Sequence, residues 1–342
     1  MAATMRDVAA RAGVSVATVS RALAGSPLVG ADVRERVKEA TEVLGYVTNR
    51  LPANLRAKGV RILALVVGNV RNGYFSDLID GSVEAAHLAG FPLIFGDSEE
   101  DPARESEILE QLAAERVAGV VLASAAGSSN GLRRLLDLGI PVVAVDRRLP
   151  GMPVDTVTID GELGEYRAVQ HLIGLGHRRI AMMGGPTHLS TIADREHGYR
   201  RALEDAGIAV DLALIAHGDL RQETAFALTP GLMAAADPPT ALVTINDLST
   251  IGALLALRSL GLRVPDDVSV VGFDDVPGMV LYDPPLTTVA QPVHEIGLRA
   301  IELAARRVAT PDGPCEEVVF GTHLLVRGST GPVRVRDSLE EV

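Results

Sequence analysis

The feature that most constrains this chain is an alternation that begins after Arg61. Short runs of aliphatic and β-branched residues, ILALVVG (62–68), PLIFG (92–96), AGVVLAS (118–124) and IPVVAVD (140–146), are followed by RIAMMGG (179–185), TALVTIN (240–246) and VSVVGFDD (268–275). Between them lie stretches of helical periodicity, for example residues 75–89, 105–114, 162–174, 195–206 and 248–260. Strands alternating with helices read as βαβ units, because parallel neighbours need a crossover long enough to hold a helix. The runs are nearly continuous in apolar residues, as in strands covered on both faces. About 270 residues of such units make two lobes rather than one sheet, so the expected fold class is α/β. In open sheets of this kind ligands bind beyond the carboxyl ends of the strands. Polar residues concentrate there: Asn69, Asn72, Asp97, Asp146, Arg147, Asp160, Asn246, Asp247, Asp274 and Asp275. Any one of them is ordinarily a helix cap or turn residue. Their recurrence at one topological edge, together with Arg195, points to a shared polar cleft.

The first 60 residues have a different texture. The spacing predicts a helix over Met5 to Ala12 with Val8, Ala9 and Ala12 inward, a turn at Gly13, and a second helix, VATVSRAL, capped by Ser15. Val33, Val37, Ala40 and Leu44 make the apolar stripe of a third. Three short helices with a tight glycine turn fit a helix-turn-helix, although any small three-helix bundle shares the period. The whole-chain charge of −12 argues against a nucleic-acid binder. The charge is unevenly placed, however. Residues 1–60 hold nine basic and five acidic side chains, net +4, and the rest hold 23 basic and 39 acidic, net −16.

Other classes lose support. A single cysteine, Cys315, excludes a disulfide framework and paired-cysteine zinc sites. The longest uncharged run, residues 117–132, is too short and too polar to span a bilayer. MAATMRDVAARAGVS lacks the apolar segment of a secretory signal, so a cytoplasmic location without membrane partners is expected. There is no GxSxG, HExxH or P-loop, and Gly184-Gly185-Pro186 does not complete a dinucleotide fingerprint. His177 and His188 are not at metal-ligand spacing. No nucleophile–base pair stands out, and no enzyme, metal or cofactor is expected.

The run TMRDVAARAGVSVATVSRALAG resembles the DNA-binding head of the lactose-repressor/galactose-repressor family of bacterial transcription regulators. The resemblance continues over residues 4–327, through NGYF (72–75), VDR (145–147), LGHRRIAMMGG (175–185), Arg195 with Gly198-Tyr199, Asn246-Asp247, VSVVGFDDVP (268–277) and PPLTTVAQP (284–292). It implies a helix-turn-helix domain over residues 1–47, a hinge over 48–60 and a two-lobed, periplasmic-binding-protein-like body over 61–330. Lobe one would take residues 61–160 and 291–320, lobe two 161–290 and 321–330, and 331–342 a tail. In the head, Val16, Ala17 and Arg21 would touch bases. Val16 and Ala17 suit thymine methyls, and Arg21 suits guanine or a phosphate. Thr4, Ser15, Thr18, Ser20 and Asn49 would contact the DNA backbone, and Leu55 would wedge into the minor groove. Tyr74, Phe75, Asp146, Arg195, Asn246, Phe273 and Asp274 would hold a small effector, in this family typically a sugar. The expected partners are a pseudo-palindromic operator, that effector and a second copy of the chain in a homodimer, with repression as the expected action.

Several residues depart from the family pattern. Ala24 stands where Asn is common, Gly30 where Ser caps the third helix, and Thr48, Pro52 and Ala53 alter the hinge. Gly161 follows Asp160 in place of Asn, and Leu220 stands where sugar-binding members often carry an aromatic platform. A nucleoside effector, or none, is the alternative within the family. A solute-binding protein for sugar uptake is the alternative outside it, one with no use for a basic head.

Overall fold

The computed structural model describes residues 3–23, 26–46, 60–125 and 127–333. They form two compact units divided at Val60 and Arg61. In the first unit, α1 (Met5–Ala12) opens on a reciprocal cap. The Thr4 hydroxyl accepts from the Asp7 N–H, and the Asp7 carboxylate accepts from the Thr4 N–H, which satisfies two otherwise orphaned amides. Gly13 ends the helix at φ 64°, a left-handed conformation that costs glycine little. Helix α2 (Val16–Leu23) is capped by Ser15, whose hydroxyl accepts from the Thr18 N–H at 3.1 Å. Helix α3 (Ala31–Leu44) starts at Gly30 without a side-chain cap. Val8, Ala9, Ala12, Val19, Val37 and Ala40 make the core, with Val33 and Leu44 half-buried at its border. The helix-turn-helix expected from the periodicity is present.

The second unit holds two six-stranded sheets. One contains β1 (Val60–Val67), β2 (Leu93–Asp97), β3 (Val117–Leu122), β4 (Val142–Val145), β5 (Asp155–Ile159) and β11 (Glu317–Phe320), in the order β11-β5-β4-β3-β1-β2. The other contains β6 (Ile180–Gly184), β7 (Ile215–His217), β8 (Ala241–Thr244), β9 (Ser269–Phe273), β10 (Thr287–Ala290) and β12 (His323–Leu325), in the order β12-β10-β9-β8-β6-β7. In the first sheet β1 pairs with β2, and β3, β4, β5 and β11 pair in succession, all parallel; in the second β7, β6, β8, β9 and β10 are parallel and β12 runs antiparallel to β10. The chain passes between sheets three times, after β5, after β10 and after β11. Alternate residues of β1 explain its apolar run. Leu63, Leu65 and Val67 enter one core cluster, while Ala64 and Val66 enter another on the opposite face.

Helices α4 (Gly73–Leu88), α5 (Pro102–Glu115), α6 (Asn130–Asp137) and α11 (Val293–Ala309) accompany the first sheet. Helices α7 (Gly161–Gly174), α8 (Ser190–Asp205), α9 (Gln222–Met233) and α10 (Asp247–Ser259) accompany the second. Where α4 meets α11 the backbones nearly touch. A Cβ on Gly81 would stand 2.1 Å from the His294 carbonyl oxygen, and one on Gly297 2.3 Å from that of Leu78. Strands β5, β7, β10, β11 and β12 are absent from the apolar runs because polar residues interrupt or bound them, as in DTVTI, TTVA and EVVF. Along β11 only Val318 and Phe320 turn inward, so its pattern alternates where a central strand would be continuous.

Candidate functional site

Two surfaces merit description, one on each unit. On the head, Val16, Ala17 and Arg21 are all exposed on α2, and Val16 retains 41% of its accessible surface. That helix buries only Val19, so the exposed valine is not needed by the head's own core. Thr4 and Ser15 spend their hydroxyls as caps, and the Thr18 hydroxyl lies 2.8 Å from that of Ser15. Ser20 is half-buried. Asn49 and Leu55 lie outside the described residues, as does Ala24.

In the body, the carboxyl ends of strands from both sheets face a common cleft. Of the residues singled out in the sequence, Tyr74, Phe75, Asp146, Arg195, Asn246 and Asp274 line it. Phe273 does not reach the wall, contrary to its assignment as an effector contact. It is the last residue of β9 and fully buried, and its ring lies under the Arg195 guanidinium, 3.7 Å from ring centroid to Cζ. The cleft also contains Asn72, Glu100, Arg147, Thr191, Ile192, Leu220, Ile245 and Gln291, none of which was chosen from the sequence as an effector contact. Arg147 and Gln291 were within reach, since they sit beside Asp146 and at the end of the matched PPLTTVAQP segment. Glu100 carried no such signal.

Asp146 follows β4 and Asp274 follows β9, so the two sheets contribute equivalent carboxylates. Each has a left-handed backbone (φ 65° and 73°) and sends its N–H to the next strand, to Val157 and Val289 respectively. These sparsely populated conformations aim both side chains out of the strand line into the cleft. Burial pushes the Asp146 carboxyl up against the opposing pull of Arg147 and Arg195, while Tyr74 hydrogen-bonds it. Asp274 is pushed up to about 7, mainly by burial, with Arg195 opposing and Asp247 reinforcing the rise. Gln291 Nε2 donates to Asp274 Oδ1. Arg195 donates through Nη1 to the Ile245 carbonyl, while its buried Nε has no hydrogen-bond partner, nor does Gln291 Oε1. Asn246 caps α10 through Ser249 N–H and donates to the Leu220 carbonyl at 3.1 Å. Its capping role and its place on the wall therefore coexist.

The lobes are closed on this cleft. Gly73 N–H donates to Asp247 Oδ2 at 2.8 Å, Arg148 N–H to Ser190 Oγ at 2.9 Å, and the Arg148 guanidinium pairs with Asp194 at 2.6 Å. The remaining space is about 30 Å³, room for little more than one water. A ligand of several carbons requires the lobes to part. No cluster of metal-ligating side chains occurs among the described residues, and no helix among them is long and apolar enough to cross a membrane.

Comparison with known proteins places both units. Residues 4–49 match the model of bacterial regulatory proteins of the lacI family, and residues 169–330 that of a periplasmic binding protein-like domain. The transcriptional regulator DegA of Bacillus subtilis is 32% identical over 97% of this chain and 99% of its own. Among solved structures, the transcriptional regulator CelR in complex with cellobiose is 34% identical, with a TM-score of 0.74, over 96% of this chain and 99% of that one. The lac repressor dimer bound to operator and an anti-inducer has a TM-score of 0.82 at 25% identity, over 97% and 100%. With a helix-turn-helix head, a two-lobed body and relatives matched over nearly their whole length, this chain belongs to the lacI family of bacterial transcriptional regulators.

Proposed function

We propose that this regulator is a repressor whose operator affinity is set by a sugar or glycoside held between the two lobes. The observation that carries the reading is the cleft itself. It gathers buried carboxylates, arginines and amides at the carboxyl ends of strands from both sheets, and Arg195 Nε and Gln291 Oε1 have no protein partner there. Vicinal hydroxyls donate and accept at once, so they complement carboxylates and guanidinium groups together. The cellobiose complex of CelR supports this ligand class. Leu220 gives this cleft an aliphatic wall at the position where the resemblance expects a stacking ring.

The two half-sites of a pseudo-palindrome require two heads, hence a dimer of this chain. Exposed apolar side chains offer a surface for it: Val83, Ile94 and Phe95 in the first lobe, and Leu255, Val280 and Leu281 in the second. On α2, Val16, Ala17 and Arg21 would read bases. The hinge, residues 48–60 with Asn49 and Leu55, would carry the change in lobe spacing to the DNA. The domain limits proposed are residues 1–47, 48–60 and 61–330, with 331–342 a tail. The effector acts by binding the open and closed lobes unequally. The reading is tested by measuring operator affinity in a panel of neutral sugars, with wild type and Asp274→Ala in parallel. The expected outcome is unchanged operator binding by the variant alone and loss of its sugar response. A response equal to wild type removes Asp274 from the site.

A further inference from the structure

Among the described residues lining the cleft there are two cations, Arg147 from the first lobe and Arg195 from the second. Arg147 is almost fully committed. Its Nη1 and Nη2 each donate to the Glu100 carboxylate at 2.7 Å, Nη1 also donates to the Ser124 carbonyl at 2.9 Å, and Nε lies 3.3 Å from Asp146 Oδ2. The pairing takes place out of water, with side-chain exposures of 5% for Arg147 and 13% for Glu100.

Glu100 is held in place by the backbone rather than by chance rotamers. It and Glu99 adopt consecutive left-handed conformations, φ 60° and 52°, which non-glycine residues rarely take. Its N–H donates to the Gly68 carbonyl at 2.7 Å. Its side chain crosses over Gly68, where a Cβ would stand 2.2 Å from Oε1. Two residues in left-handed conformations and the space left open over Gly68 thus bring one carboxylate to one arginine. Strain that persists in a folded chain is a pointer to function.

We propose that Glu100 is a specificity-determining residue that makes the cleft refuse anionic effectors, phosphate esters above all, by occupying the fork of Arg147 in advance. The proposal rests on reading the cleft as the effector site. Guanidinium groups recognise phosphate through two parallel N–H donors, and here a tethered carboxylate already uses both. An incoming phosphate would have to displace Glu100 and then lie beside Asp146 and Asp274 in a water-poor space. A neutral polyol displaces nothing, since its hydroxyls add to the free valences of the same groups. The filter therefore separates a sugar from its phosphate ester.

Inorganic phosphate is the probe, titrated calorimetrically at fixed ionic strength into full-length wild type, Glu100→Gln, Arg147→Gln and the double variant. Wild type is expected to show no phosphate uptake that depends on Arg147. Glu100→Gln keeps the shape, removes the charge and should gain at least about tenfold in phosphate affinity, a gain abolished by adding Arg147→Gln. The proposal is overturned if Glu100→Gln binds phosphate no better than wild type. It is equally overturned if wild type takes up phosphate and Arg147→Gln does not, a comparison that decides the matter even where Glu100→Gln does not fold. A neutral sugar that releases operator equally from wild type and Asp274→Ala would refute the cleft reading alone and leave the phosphate comparison standing.

Discussion

Replacing Glu165 by glutamine should stabilise the body, by an amount that grows with pH. Glu165 sits on α7, which packs against α8 and the second sheet, and it retains 1% of its surface. Its Oε1 makes no hydrogen bond, and burial raises its carboxyl from 4.5 to about 8, with Arg195 the opposing influence. The folded protein therefore keeps a proton that the unfolded chain releases above pH 4.5. Stability falls as pH climbs from there to about 8, then levels off. At about 1.4 kcal/mol per pH unit the wild type loses about 3 kcal/mol by pH 7, and about 5 kcal/mol by pH 8 and above. Glutamine matches the neutral acid in shape and carries no such linkage. The variant should thus equal wild type near pH 5 and exceed it by those amounts at higher pH. Urea unfolding followed by tyrosine fluorescence reads this, because the chain has no Trp and four of its five tyrosines lie in the body. A difference between the two proteins that stays constant from pH 5 to pH 9 would refute the reasoning.

Three further outcomes are expected. Arg21→Ala should weaken specific operator binding by about 1–3 kcal/mol if it donates to guanine, whereas an equal loss on all sequences in a binding titration assigns it to phosphate. Gly297→Ala should lower unfolding stability by at least about 1–3 kcal/mol, since its methyl would meet the Leu78 carbonyl oxygen at 2.3 Å and α4 would have to move. An unshifted thermal midpoint would contradict that packing. Asp194→Asn breaks the Arg148 bridge across the cleft, but with side chains 40% and 26% exposed the pair should contribute below about 1 kcal/mol. Effector affinity should then change less than about fivefold in a titration, and a larger change would mark the bridge as a principal latch.

Legibility from sequence followed how local each determinant was. The turn at Gly13, the Ser15 cap and the apolar stripes of the head are legible because each is set within a few residues, whereas the reciprocal Thr4–Asp7 cap emerges only from the structure, Thr4 being expected at the DNA backbone. The central strands were legible for a similar reason, since both faces of β1 are apolar. The edge strands were not. Val318 and Phe320 are a strand only because β5 lies alongside them. Asp146, Asn246 and Asp274 are legible as polar residues at strand ends and Arg195 through the family resemblance, and the fold brings all four to one cavity. Glu100 was hidden in an acidic stretch, DSEED (97–101), where nothing nearby distinguishes a surface charge from one folded back onto Gly68. Phe273 differs from its neighbour because it is the last residue of β9, buried beneath Arg195, while Asp274 leaves the strand with a left-handed backbone that no sequence pattern announces.

The three passages between sheets have a consequence for how the protein is made. β11 completes the first sheet beside β5, β12 completes the second beside β10, and Ser329 ties β9 through the Val270 carbonyl. Both lobes therefore wait for the same last segment of the chain, while the head is complete once Leu44 and Tyr46 have left the ribosome. At about 5–20 residues per second, on the order of 15–50 s separate the two events during synthesis. Throughout that interval a nascent chain carries a finished DNA-reading module with no effector-responsive body attached. A ribosome stalled before β11, or a protease cutting there, would leave the same thing: a finished head cut off from the signal that the body exists to receive.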